Sequence, residues 1–75
     1  MYQYFMKSLV HHIPLQIIYV SKKGEFTKRI IYVKKVKETY IFAYCLTKRH
    51  YRKFSTEQIL AAIPYKKKKT FESAS

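Results

Sequence analysis

The sequence predicts a small, mainly β domain of about five strands preceded by a short helix. Three observations carry this. Within residues Thr39 to Thr47, Tyr40, Phe42, Tyr44 and Leu46 alternate with Ile41, Ala43 and Cys45, the period-two signature of a strand. Two further segments, Leu15 to Val20 and Phe26 to Val36, are dense in β-branched and aromatic residues, which fit a pleated surface. The single glycine, Gly24, falls between those two segments, where a turn needs a residue free to take positive φ.

In chain order, residues 1 to 12 read as a helix. Tyr2, Phe5, Met6, Leu9 and Val10 recur at intervals of three and four, an apolar stripe along one face. Pro14 ends it, because a proline disfavours the helical region for the residue before it. Leu15 to Val20 is the first strand, Ser21-Lys22-Lys23-Gly24-Glu25 the turn, and Phe26 to Val36 the second strand. Lys37-Glu38 is a tight polar connection. In the third strand, Thr39 to Thr47, Tyr40, Phe42, Tyr44 and Leu46 share one face and Ile41, Ala43 and Cys45 the other. The smaller side chains are expected inward, where a tight barrel has little room. Lys48-Arg49-His50 turns the chain into a fourth strand, Tyr51 to Ser55. The segment from Thr56 has two readings: a helix to Ala62, since Glu, Gln, Leu and Ala favour helices, or a helical turn followed by a fifth strand, Leu60 to Pro64. The second is preferred. Residues 1–65 thus form one domain, and the Lys-rich tail 66–75 is expected to be disordered, because a run of like charges has nothing to bury.

Charge is the dominant compositional feature. Sixteen Lys and Arg face four acids, all glutamates, for a formal net charge of +12. Solubility alone needs far less, so the surplus points to an anionic partner. Only Arg29, Arg49 and Arg52 are arginines. An arginine grips phosphate in two places, whereas a lysine is a hydrated point charge. A diffuse lysine field around a few specific grips is therefore expected. Cys45 is the only cysteine, so no disulfide forms within the monomer, and a lone thiol suits a reducing, cytoplasmic setting. No signal peptide is recognisable at the N-terminus, and no apolar run is long enough to span a bilayer. Catalysis is not expected. The chain contains no Asp, and His11-His12 lacks the further ligands a zinc site needs. His50 beside Lys48 and Arg52 could serve as a general base, but such a set arises readily by chance in so basic a chain. No cofactor or metal is expected.

From Leu15 to Ile59 the chain resembles the WYL domain. Leu15-Gln16-Ile17-Ile18-Tyr19 stands for the family's first strand, Ser21-Lys22-Lys23-Gly24 for its turn, and Arg29 for its second-strand arginine. Thr39-Tyr40-Ile41 occupies the place of the eponymous Trp-Tyr-Leu. Ala43-Tyr44-Cys45, Lys48, Arg52-Lys53-Phe54 and Gln58-Ile59 then follow at the family's spacing. Thr39 replaces the Trp, and Lys48 and Gln58 replace arginines. It is the ordered spacing that carries the resemblance. It implies an SH3-like or Sm-like barrel of about five strands. It also implies a ligand-sensing role in bacterial transcription regulation, with nucleotides or oligonucleotides as ligands.

The candidate ligand-binding residues are Arg29, Lys48, Arg49 and Arg52 for phosphate, with Tyr40 or Tyr44 against a base or sugar. Phosphates need cationic forks and bases need flat rings. The ordinary reading of the tyrosines is packing, and of most lysines solvated charge. The partner expected first is a nucleotide or single-stranded nucleic acid. Two other readings stand beside it. One is a protein-interaction module that pairs through open strand edges, with a second copy of itself or a partner regulator protein. The other is attachment to polyanions or a membrane surface through Lys66 to Lys69.

Overall fold

The computed structural model describes residues 1–66. Helix α1 (Tyr2–His11) leads into strands β1 (Leu15–Val20), β2 (Phe26–Val36), β3 (Tyr40–Cys45) and β4 (His50–Ser55). A 3₁₀ turn (Thr56–Gln58) and strand β5 (Ile59–Pro64) complete the fold. The preferred turn-and-strand reading after Ser55 holds. The third strand is shorter at both ends than expected, because Leu46 to Arg49 form the turn into β4: the Arg49 N–H donates to Cys45 O at 2.7 Å. The expected tail 66–75 lies outside the described residues except for Lys66, which is exposed.

All pairings are antiparallel, in the order β4-β3-β2-β1-β5. The sheet does not close into the expected barrel, since β4 and β5 are its two edges and share no ladder. The 3₁₀ turn carries the chain from one edge to the other and is tied elsewhere. Thr56 donates to Thr39 O through both its N–H (3.0 Å) and its Oγ1 (3.1 Å), and Gln58 Nε2 donates to Val20 O at 2.8 Å.

Local chemistry sets each connection. In the β1–β2 turn, Ser21 Oγ accepts the N–H groups of Lys23 (3.2 Å) and Glu25 (3.1 Å), and Gly24 sits at φ 86°, a conformation that suits glycine. Arg49 in the β3–β4 turn takes φ 61°, and His12 after α1 takes φ 57°, both left-handed positions that cost a side-chain-bearing residue. Within the sheet, β2 bulges between Val33 and Lys35, and the β1–β5 ladder shifts between Ile18 and Tyr19.

One face of the sheet forms the core. Leu15, Ile17, Ile31, Ile41, Ala43, Cys45 and Phe54 are fully buried there, so the small face of β3 is inward as expected. α1 packs chiefly on β2. Its buried residues are Phe5 and Ser8, whereas Tyr2 is 63% and Val10 67% exposed and Leu9 is also exposed. The helix is therefore rotated away from the stripe that its periodicity suggests. Ser8 explains the rotation: its hydroxyl accepts the buried N–H of Val33 at 3.0 Å, beside the bulge in β2.

Candidate functional site

Antiparallel pairing places β3 beside β4, with Ala43 opposite Arg52 and Tyr44 opposite Tyr51. Residues directly opposite each other point to the same face. Arg52 therefore lies on the core-facing side with Ala43, and Tyr44 lies on the outer side. β2 puts Arg29 opposite Ile17, again core-facing. Alternation thus puts Arg29 and Arg52 on the core-facing side and Tyr44 and Tyr40 on the outer side, although Tyr40 also lines a hollow with Tyr19. The expected phosphate-and-tyrosine cluster does not form as drawn, because alternation assigns the guanidiniums and the phenols of β3 to opposite faces.

Both guanidiniums approach one aromatic ring. The Arg29 Cζ lies 6.0 Å and the Arg52 Cζ 5.4 Å from the centroid of Phe54. Arg52 also lies 5.8 Å from the Tyr19 ring, which meets Phe54 edge-on at 5.1 Å. The ring beside the cations is therefore Tyr19, buried on β1, in place of Tyr40 or Tyr44. The Leu-x-Ile-x-Tyr element ends on this tyrosine, so alternation along β1 could have found it.

Arg29 is only 9% exposed. Its Nε donates to Thr27 Oγ1 at 3.3 Å, and its Nη1 reaches Cys45 Sγ at 3.9 Å. Among the described residues no carboxylate is a hydrogen-bond partner of this guanidinium, and Nη2 makes no hydrogen bond. A buried cation normally has an anionic partner. Beside Arg29 opens a hollow of about 290 Å³ lined by Thr27, Lys28, Arg29, Thr47 and Lys48. Thr47 is fixed there by accepting the Ile30 N–H at 3.3 Å. Lys48 thus lines the same hollow as Arg29. Arg49, exposed in the same turn, does not line this hollow.

The outer face carries a second group. Phe42 stacks on Tyr51 (5.7 Å, 4° between planes), Tyr44 meets Tyr51 edge-on (5.0 Å), and the Lys53 Nζ stands 4.5 Å above the Tyr40 ring. No group of three His, Cys, Asp or Glu among the described residues could hold a metal ion. No described helix is long and apolar enough to cross a membrane. No protein-family model matches the chain, and neither does any curated protein.

Proposed function

We propose that this chain is a non-catalytic sensing module that binds anionic, nucleotide-like ligands, a mononucleotide or a short single strand, in the cytoplasm. One observation carries the reading: Arg29 is buried beside a hollow that Lys48 also lines, and among the described residues no carboxylate is its hydrogen-bond partner, while Arg52 approaches the same Phe54 ring. A phosphate would supply the missing counter-charge. Arg29 and Arg52 would grip its oxygens, Lys48 would add charge at the rim, and Thr47 and Thr27 would offer hydroxyls. Arg49, on the same turn as Lys48, would add long-range attraction.

The resemblance to the WYL domain supports the regulatory side of this proposal, since Arg29, Lys48 and Arg52 fall on that family's basic positions. The antiparallel order of the strands is compatible with an SH3-like or Sm-like architecture. In this reading the protein acts as an accessory to transcriptional regulation, passing ligand occupancy to a partner regulator.

Calorimetric titration with inorganic pyrophosphate and with a short single strand tests the proposal. Both should bind, and the affinity of the strand should fall with salt at a log–log slope of roughly −2 if three phosphates are contacted. Arg52→Ala and Lys48→Ala should each weaken binding. A salt-independent affinity, or a pyrophosphate affinity indifferent to both substitutions, would discard the proposal.

A second reading, a protein-interaction module, is favoured by one feature. Edge strand β5 exposes Leu60 and Ile63 (52% each), and Phe26 in β2 is also exposed. Open edges pair readily. Under this reading sedimentation would reveal a concentration-dependent dimer or a complex with a regulator, and Leu60→Lys would dissolve it.

A further inference from the structure

The outer face of β3 and β4 holds a second assembly that the arginine site does not use. Phe42, Tyr44 and Tyr51 form a contiguous aromatic surface, joined by one stacked and one edge-on contact. Tyr51 is 58% exposed on the edge strand, and Phe42 and Tyr44 are half-buried. Cross-strand aromatic pairs stabilise sheets, but that role does not require lysines around them. Here Lys35, Lys37 and Lys53 line a hollow of about 420 Å³ together with Tyr40 and Phe42. None of the described glutamates lines it. Rings flanked by lysines, in a hollow that no described carboxylate lines, match a polyanion with flat, unpaired bases.

We propose that this outer face is a base-stacking platform for single-stranded nucleic acid, with Tyr51, Tyr44 and Phe42 receiving bases and Lys35, Lys37 and Lys53 receiving phosphates. Stacking on aromatic side chains tolerates any base sequence, and lysine contacts follow the backbone. A duplex is excluded from the platform, because its bases are stacked on one another and cannot lie on a sheet face. The platform lies on the opposite side of the sheet from Arg29 and Arg52. It rests on the polyanion-binding reading above only in the sign of its ligand, so the two sites can be tested separately.

The test is anisotropy of a fluorescently labelled octathymidylate, with pyrophosphate binding measured in parallel. Tyr51→Ala should weaken the octathymidylate by about tenfold or more, while Tyr51→Phe retains it and the affinity for pyrophosphate stays constant. Lys53→Ala should flatten the log–log salt slope by about 0.7. Thermal melts of the variants, with Tyr51 at an exposed edge, separate loss of binding from loss of fold. The platform is overturned if octathymidylate does not bind, if Tyr51→Ala binds it as the wild type does, or if inorganic polyphosphate of equal charge competes as well as the oligonucleotide. Tyr51-dependent oligonucleotide binding without pyrophosphate binding would leave the platform standing and remove the arginine site. The converse result would remove the platform alone.

Discussion

Replacing Arg29 with methionine should make the protein more stable and at the same time insensitive to phosphate. The magnitude follows from what surrounds the guanidinium. Its two hydrogen bonds are long, 3.3 Å to a hydroxyl and 3.9 Å to a thiol, and together contribute about 1 kcal/mol at most. Its contact with Phe54, at 6.0 Å, lies at the outer limit of a cation–π interaction and adds about 0.5–1 kcal/mol. Against these stands the desolvation of a cation that is 9% exposed. Exchanging buried ions for apolar residues of similar volume commonly gains about 1–4 kcal/mol. The balance is a gain of up to about 2 kcal/mol. With a urea m-value of about 1 kcal/mol/M for a small domain, the midpoint should rise by up to about 2 M. Urea unfolding followed by far-ultraviolet circular dichroism measures it. Inorganic pyrophosphate at a hundred times its Kd should stabilise the wild type by about 2.7 kcal/mol and leave Arg29→Met unchanged. A midpoint that falls by about 1 M in the variant, with pyrophosphate stabilising both proteins equally, would refute the reasoning: Arg29 would then be a structural residue.

Three other outcomes follow from the fold. Ser8→Ala strands the buried Val33 N–H and should cost about 1–3 kcal/mol, seen as a lower urea midpoint; an unchanged midpoint would mean that the helix is not anchored through this hydroxyl. Arg49→Gly relieves a left-handed backbone at φ 61° and should stabilise by about 1 kcal/mol, raising the melting temperature by roughly 4–8 °C in a domain of this size; a lower melting temperature would count against the strain. Phe54→Ala removes a fully buried ring that touches Tyr19 and should cost about 3–5 kcal/mol. That is enough to leave so small a domain largely unfolded at 25 °C, read by the loss of dispersed amide resonances; a well-dispersed spectrum would contradict the packing role.

The strands were legible in the sequence because their patterns are local. Alternation in Tyr40–Cys45 placed Ile41, Ala43 and Cys45 inside, and the lone glycine marked the first turn. The helix face was not legible. Its apolar stripe pointed one way, but the requirement of a distant N–H on Val33 drew Ser8 inward, and no periodicity records a hydrogen bond made across the fold. Open edges entered only through the alternative reading, and the expected barrel fails because closure depends on where the chain goes after Ser55. Of the expected basic residues, Arg29 and Lys48 line one hollow, and Arg29 and Arg52 approach one ring. Their aromatic neighbour was misassigned. The parity rule that separates Tyr44 from Arg52 needs the register, and the register depends on the length of the Leu46–Arg49 turn.

The bulge in β2 has a consequence for how this strand tolerates change. Val33 pairs with Ala43 and Lys35 with Phe42, so Lys34 is a spare residue that the partner strand does not count. In an uninterrupted strand, Lys35 would face the interior and Val36 the solvent. The extra residue restores parity, so that Val36 packs against the core while Lys35 stays outside. Excising Lys34 should then shorten β2 without inverting it: the following lysine steps into the vacated outward place and every later side chain keeps its orientation. A one-residue deletion inside a strand ordinarily turns it inside out. Here the chain carries its own slack, at one known position, and an alignment gap there would be harmless.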